Sequence, residues 1–245
     1  MIDINLNKIA PKYVIEGTLS DEQGDCKVII SQSVNFNELN NFKMINGAIV
    51  SITDGNGTPV LLSQDSEGVY QSPTIVAKAG HKYSLSVNVN GQQFSSVCQV
   101  PLKVSLDSLY IIDFNSFGDA RKFANVIFKD PAGIGNSYRF LQFKNRVQNI
   151  NIFVLNDDFS DGRLINTFLA YFDKSDEQKI KIGDSITVQM QCIDSSVYKF
   201  FSSLSQSSSG DNNNVAPGNA VSNISGGALG YFSAYTKDEK TVIVK

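Results

Sequence analysis

The first hundred residues form an almost unbroken series of short β-branched runs, each ended by turn-forming residues, and this rhythm restricts the fold more than any other feature. In the clearest run, KYSLSVNV (82–89), apolar and polar residues alternate, which is the period of a strand with one buried face. Asn90-Gly91 follows, and this pair is typical of a two-residue hairpin because both positions must adopt φ > 0. The pattern predicts an antiparallel, immunoglobulin-like β-sandwich.

Other runs extend the same pattern through the first half of the chain: YVIEGTLS (13–20), CKVIISQS (26–33), GAIVSIT (47–53) and PVLLSQ (59–64). Pro101 and the stretch to about Ser108 interrupt it. We therefore expect an immunoglobulin-like sandwich over 1–105 and a second antiparallel β domain over 106–245. The sequence leaves open whether these halves are separate domains or one continuous sandwich.

The second half is also mainly β, with one segment of a different period. Large apolar residues recur there at helical spacing, namely Val197, Phe200, Phe201 and Leu204. Asp194 or Ser195 stands before them as an N-cap, so the pattern predicts a short helix near 195–206. The Ser- and Asn-rich stretch 205–219 is expected to be a mobile loop. TVIVK at the C-terminus is expected to be the last strand.

Charge and composition exclude some classes of function. The net charge is −3, and the 21 Lys and Arg residues are scattered without forming a basic stripe, so nucleic-acid binding through phosphate neutralisation is not expected. The chain is 42% hydrophobic and only 18% charged, which favours an extracytoplasmic β protein over a cytosolic helical one. No apolar run is long enough for a spanning helix, so the chain as given is expected to be soluble.

Candidate catalytic residues are few. His81 is the single histidine, so any Ser-His-Asp triad would need it, and a surface turn is the expected setting for it. The GDS triplet 183–185 resembles the signature of SGNH esterases, but no histidine follows Ser185 to activate it. A turn that opens a strand explains the triplet better. We expect no catalytic residues and a protein that is not an enzyme.

The three cysteines lack metal-site spacing. Cys26 and Cys98 both lie in strand-like segments and could form a disulfide. The alternative is that Cys26, Cys98 and Cys192 are buried free thiols.

An acidic cluster in the second half resembles a small calcium loop. It consists of Asp157, Asp158 and Asp161 and is followed by a glycine. An EF-hand is excluded, because Phe159 and Phe168 would occupy its third and twelfth positions, where oxygen ligands are required. A looser calcium site of a β-sandwich and a solvated turn both remain open.

The stretch SNISGGALGYFSAY (222–235) combines a glycine cluster with aromatic residues. It has neither the GxGxxG nor the GxxxxGK[ST] spacing of a phosphate-binding loop. The glycines are expected to form a turn or bulge with φ > 0 that leads the aromatics into a sheet. Tyr231, Phe232 and Tyr235 then either pack in the protein or present a surface for a ligand or partner.

Taken together, the motifs of the chain resemble a known family. They include YVIEGTLSDEQG, GAIVSITDGNG, AGHKYSLSVNVNGQQFSSVCQVP, FKDPAGIGNSYRF, NDDFSDG, IKIGDSITVQMQCID and SNISGGALGYFSAY, in this order over nearly the full length. The chain resembles the DUF4249 family of Bacteroidota cell-envelope proteins, which has no assigned function.

The resemblance implies a location more than a chemistry. Family members typically carry a lipoprotein signal, are often encoded near TonB-dependent outer-membrane receptors, and have an N-terminal part similar to carboxypeptidase regulatory-like domains. The chain begins at Met1 without a lipobox, so we expect IDINLNK to be the start of a tether in a form that has lost its anchor. No catalytic residues carry over from the family.

The resulting expectation is a non-enzymatic outer-membrane lipoprotein, surface-exposed or periplasmic, that serves as an accessory to a TonB-dependent receptor. The alternative is a structural or adhesive envelope module that binds proteins or glycans. A hydrolase of envelope polymers is the weakest of the three hypotheses.

Overall fold

The computed structural model describes residues 10–34, 42–116, 119–170, 179–208 and 219–245. Within these ranges the elements are β1 (Tyr13–Ser20), β2 (Cys26–Gln32), β3 (Lys43–Met44), β4 (Ile49–Asp54), β5 (Val60–Leu61), β6 (Ser63–Ser66), β7 (Val69–Gln71), β8 (Lys82–Val89), β9 (Gln92–Gln99), β10 (Leu106–Ser116), β11 (Asp119–Lys129), β12 (Ser137–Lys144), β13 (Val147–Gln148), β14 (Phe153–Asn156), β15 (Leu164–Phe168), β16 (Ser185–Cys192), α1 (Ser195–Ser208) and β17 (Leu229–Ile243). The all-β prediction with one short helix is confirmed.

One large sheet extends through both halves of the chain. Its strand order is β13-β12-β16-β17-β1-β2-β7-β6, with β14 paired to β12 and β3 paired to β2. Two smaller sheets, β5-β4-β8-β9 and β10-β11-β15, supply the opposite layers. Ile15 of the large sheet and Leu85 of β8 belong to one apolar core, while Val188 of the large sheet and Phe128 of β11 belong to a second. The molecule therefore has two layered cores that share one sheet.

Strand β17 connects these two cores. Its first part pairs in parallel with β1, from Val14 with Leu229 to Ser20 with Tyr235. Its second part pairs antiparallel with β16, from Cys192 with Thr236 onward. TVIVK is therefore not a separate strand, because most of it continues the strand that begins at Leu229. The division into 1–105 and 106–245 stays a prediction, and the structure adds that the C-terminal strand lies beside the first strand.

Local predictions for the β8–β9 hairpin and the helix are confirmed. Asn90 and Gly91 have φ of 50° and 77°, and Val89 pairs with Gln92 across the turn. The helix begins at Ser195, and Asp194 Oδ1 accepts a hydrogen bond from the Ser196 N–H at 2.8 Å, as expected of an N-cap. It continues to Ser208, so the start of the predicted loop 205–219 is helical; residues 209–218 lie outside the described residues.

The glycines before β17 have a structural role. Gly230 has φ of 100°, and a Cβ atom there would lie 2.0 Å from the backbone oxygen of Ile15. Only glycine lets β17 approach β1 this closely. The Asn223 side chain then pairs with Phe232 like a short strand, since its amide donates to the Phe232 carbonyl and accepts from the Phe232 N–H, both at 2.9 Å. The prediction of a turn with φ > 0 leading into a sheet is confirmed.

Across the described ranges, no helix has the length and hydropathy needed to cross a bilayer.

Candidate functional site

Two connections between the sheets of the second core lie side by side. Residues 130–136 lead from β11 to β12, and residues 157–163 lead from β14 to β15. Both connections pass from one sheet to the other at the same end of the second core. At that end Lys129 pairs with Leu164 in one sheet, and Ser137 pairs with Asn156 in the other. We call residues 130–136 and 157–163 together the two-loop tip.

Two buried carboxylates fix the backbone of the two-loop tip. Asp157 accepts hydrogen bonds from the N–H groups of Gly135 and Asn136, both at 3.0 Å. Asp130 accepts from the Gly162 N–H at 2.9 Å and from the Tyr138 hydroxyl. Burial, and then the Asp130 carboxylate, raise the pKa of Tyr138, so this hydroxyl keeps the proton that it donates. Each loop is thus held by a carboxylate belonging to the other loop, which offsets the cost of burying these charges.

A third carboxylate completes an acidic cluster. Asp161 accepts from the Gly133 N–H at 2.7 Å, and one oxygen from each of Asp130, Asp157 and Asp161 lies within 4.8 Å of the others. Asp158 does not join them and accepts from the Asn156 side-chain amide at 2.5 Å. The cluster therefore contains two members of the predicted set, with Asp130 in place of Asp158. The same carboxylates accept backbone N–H groups, so a structural role already accounts for their position in the loops. Calcium binding at this cluster stays a prediction.

Sequence reasoning did not single out Asp130, which lies 27 residues before Asp157 in FKDPAG. Its position at the end of a strand, just before a turn that contains Pro131 and Gly133, is the only local signal for it. Pairing it with Asp157 required the order of the strands.

The two-loop tip presents two large apolar side chains to solvent. Phe159 is 93% exposed and Ile134 is 77% exposed, one in each loop. Single exposed apolar residues are common on protein surfaces, but two on adjacent, internally bonded loops form a candidate contact surface. From the sequence, Phe159 served only to exclude an EF-hand, and its exposure was not predicted.

The predicted binding aromatics lie elsewhere and are buried. Phe232 is completely buried between the sheets of the first core, and Tyr235 is also buried. Tyr231 faces α1, where its ring lies 4.9 Å from that of Phe200 and 4.8 Å from that of Phe201. The structure shows that all three side chains pack inside the protein. Their role in ligand or partner binding stays a prediction, and their burial leaves little side-chain surface for such a contact.

Comparison with known proteins gives one decisive match. The family model described as a domain of unknown function, DUF4249, matches residues 1–241. The chain belongs to the DUF4249 family. No curated protein matches it. A solved structure of a two fibronectin type-III domain segment from chicken tenascin is 11% identical, covering 96% of this chain and 99% of that one, with a TM-score of 0.28. At that TM-score the likeness adds nothing to the fold derived from the strands.

The possible catalytic residues of this DUF4249 member have structural partners. The His81 Nδ1 lies 2.9 Å from Asp54 Oδ1 in an exposed turn, and Asp54 Oδ2 accepts from the Tyr83 hydroxyl at 3.4 Å. Among the hydrogen bonds of the described residues, none joins a serine or cysteine to the His81 ring. Ser185 is the first residue of β16, and its N–H donates to the side chain of Asn145. The GDS triplet is thus a turn that opens a strand, as predicted.

The cysteines of this DUF4249 member are free thiols, so the disulfide considered between Cys26 and Cys98 is not present. All three side chains are buried. Burial raises the pKa of Cys26 and of Cys98 to about 12, which leaves almost no thiolate at neutral pH. Cys98 instead has a structural role, since its Sγ accepts from the Ala234 N–H at 3.2 Å and thereby caps an edge of β17.

Proposed function

We propose that this DUF4249 member is a non-enzymatic binding protein of the cell envelope that acts as an accessory to a TonB-dependent outer-membrane receptor. The observation that carries the proposal is the exposure of Phe159 and Ile134 on loops whose backbone is fixed by buried carboxylates. Functional residues commonly lie on loops that a rigid scaffold positions. The two-loop tip has this form.

The hydrogen bonds within the tip favour binding energetically. A loop that is already ordered loses less conformational entropy when a partner binds, so more of the interaction energy appears as affinity. The Gly133 N–H bond to Asp161 and the Gly162 N–H bond to Asp130 each cross from one loop to the other. The tip can therefore present its apolar side chains as one unit.

The choice of a receptor as partner rests on the family, whose members are often encoded near TonB-dependent receptors. The same resemblance supports an envelope location, and the proposal includes a lipid anchor that precedes the first strand.

A cross-linking pull-down from native outer membranes tests the proposal, with the lipid-anchored form as bait. Recovery of one TonB-dependent receptor in near-equal amount supports it. Excess unanchored chain serves as the control, because it must compete away a specific partner. Recovery of only surface polymer or a broad set of envelope proteins contradicts the proposal and favours a structural or adhesive module.

A further inference from the structure

We infer that the free edge of β14 binds an extended, uncharged peptide segment of a partner protein, which joins the large sheet as one more strand. The site is formed by β14, β15 and α1 and includes neither Phe159 nor Ile134. The inference goes beyond the proposed function, because it concerns a second surface and a different mode of binding.

Strand β14 lies at an edge of the large sheet. It pairs with β12 on one side, and within the described ranges no strand pairs with its other side. Strand β15, the next along the chain, likewise ends the three-stranded sheet, because it pairs only with β11. The two layers of the second core therefore both end in free edges, and the two edges border the same pocket.

The register of β14 shows which backbone groups are free. The Asp157 N–H donates to the Asn136 carbonyl at 3.2 Å, and bonded and non-bonded pairs alternate along an antiparallel ladder. Arg139 and Val154, three positions along that ladder, are therefore a non-bonded pair. The N–H and C=O of Val154 point away from β12, and no hydrogen bond within the described ranges reaches them.

A pocket of about 290 Å³ lies where the next strand of the large sheet would run. Residues 152–155 of the β14 segment form one wall, residues 167–169 form a second, and one face of α1 forms a third. Successive side chains of a strand point to opposite faces of its sheet. A strand added beside β14 would therefore direct its side chains alternately toward β15 and toward α1.

The walls of the pocket specify the chemistry of the peptide. The side toward the second core is mainly apolar, with Phe153, Leu155 and Leu169, and the side toward α1 is neutral and polar, with Ser202 and Gln206. None of the described lining residues is charged, so a charged side chain in the pocket would lose hydration without gaining an ion pair. The segment that fits alternates apolar residues with small neutral polar ones.

The sequence of β14 leaves its edge open to such pairing. Natural proteins usually protect sheet edges with lysine, proline or a β-bulge. β14 has the sequence FVLN, without a charged residue or a proline, and its pairing with β12 has no register shift. An extended peptide satisfies the backbone of such an edge while pockets receive alternate side chains. A small apolar ligand would leave the Val154 N–H unpaired, so the observations favour a peptide.

Hydrogen exchange of the full chain, measured by NMR, tests the free edge. The Val154 amide is expected to exchange faster than the amides of Phe153 and Leu155, which belong to bonded pairs with β12. Equal protection of all three amides would contradict the inference. It would mean that another segment of the chain, or a second copy, already pairs with this edge.

Selection from a phage-displayed library of random peptides supplies the probe, and calorimetry measures the Kd of the selected peptides after synthesis. Val154→Pro removes an N–H that β12 does not use, and it is expected to raise Kd about tenfold or more. Val154→Thr is the matched control, because it keeps the N–H and the branched side chain, and its Kd should stay within about twofold of wild type.

Ser202→Lys tests the same pocket without changing a strand. Lysine is a good helix former, and its ammonium would enter the position of the added strand. We expect Kd to rise about tenfold or more, whereas Ser207→Lys, which places the same charge on α1 outside the pocket, should leave Kd unchanged. This pair decides the question if Val154→Pro lowers Tm.

Methylation of the peptide backbone distinguishes strand addition from other modes of binding. A strand offers its N–H groups to one neighbour at every second residue. Methyl groups on alternate peptide nitrogens should therefore abolish binding, and methyl groups on the nitrogens between them should not.

Four outcomes would overturn the inference. They are the selection of no peptide that competes at this pocket, a charged consensus among the selected peptides, equal Kd values for Ser202→Lys and Ser207→Lys, and methylation effects without a two-residue period. The two-loop tip is unchanged in every variant, so these outcomes do not depend on the proposed function.

Discussion

The aromatic residues that follow Gly230 lie inside the protein, whereas Phe159, on the loop between β14 and β15, stands almost wholly in solvent. The difference arises from the layers around each segment. The part of β17 from residue 230 to residue 236 is covered on both faces, since Phe232 faces the first core and Tyr231 faces α1. The loop at Phe159 lies beyond the ends of its strands, and no sheet or helix within the described ranges covers that ring. Whether an aromatic segment is buried or exposed therefore depends on its position in the layers and not on its composition.

In this comparison, the largest loss in the free energy of unfolding is expected from a substitution of Gly230. Gly230→Ala would place a Cβ atom 2.0 Å from the Ile15 carbonyl oxygen, so β17 and β1 could no longer pair as they do. We expect a loss of about 4 kcal/mol or more in the free energy of unfolding, measured by urea titration.

Gly227→Ala is the matched control for this change. Gly227 also has positive φ, at 88°, but an added Cβ atom there meets nothing within 4 Å. Only the backbone strain remains, at about 1–2 kcal/mol. Similar losses for the two variants would show that the close approach of β17 to β1 is not what requires glycine.

Truncating one aromatic residue in each region sharpens the comparison directly. Phe232→Ala leaves a cavity in the first core and is expected to cost about 3–5 kcal/mol. Phe159→Ala removes a ring that contacts mainly water, and its effect on the free energy of unfolding should stay within about 0.5 kcal/mol. Urea unfolding measures both, and a large loss for Phe159→Ala would mean that its ring packs within the tip instead of facing a partner.

A smaller effect is expected from calcium at the tip. If the carboxylates of Asp130, Asp157 and Asp161 hold calcium, a concentration tenfold above Kd adds about 1.4 kcal/mol, or about 3–5 °C in Tm. The measurement compares Tm in about 1 mM calcium with Tm in a chelator.

Two isosteric variants give the calcium measurement its specificity. The shift should vanish in Asp130→Asn and persist in Asp158→Asn, because only Asp130 belongs to the cluster. A wild type that shows no shift, or a shift that survives in Asp130→Asn, contradicts a calcium site at this cluster.

The smallest effect is expected for the thiols, which should show no reaction in the folded protein. With their pKa raised to about 12 by burial, Cys26 and Cys98 carry almost no thiolate near neutral pH. An aromatic disulfide reagent should detect no thiol before unfolding and all three after it, in agreement with the free cysteines of the structure. Detection of a single thiol in the unfolded, unreduced chain would contradict this prediction and support a disulfide between Cys26 and Cys98.

The sequence was most informative where structure depends on neighbouring residues. The alternation over 82–89 places Tyr83, Leu85, Val87 and Val89 in the core, and Asn90-Gly91 forms the predicted hairpin. The helical spacing after Asp194 located α1 to within two residues of its end. Local periodicity and turn chemistry suffice for such elements.

Contacts between distant segments could not be predicted from the sequence. The pairing of β1 with β17 joins residues more than 200 positions apart, and no local pattern encodes it. The acidic cluster of the two-loop tip was predicted incompletely for the same reason. Asp157 and Asp161 were identified from their spacing, but Asp130 comes from another connection. The burial of Tyr231 likewise depends on a helix that precedes it by some thirty residues.

The double pairing of β17 also determines how the molecule would carry mechanical force. A load applied at the two-loop tip reaches β17 near Thr236, because Tyr138 of β12 pairs with Cys192 of β16 and Cys192 pairs with Thr236. Together with a pull on the chain before Tyr13, this load would draw β1 by its N-terminal end and the β1-paired part of β17 by its C-terminal end. Because these two strands are parallel, such a pull slides one along the other, and the ladder from Val14–Leu229 to Ser20–Tyr235 would have to shear as a whole instead of opening one pair at a time. The parallel ladder between β1 and β17 would therefore give the molecule resistance to a pull along these strands.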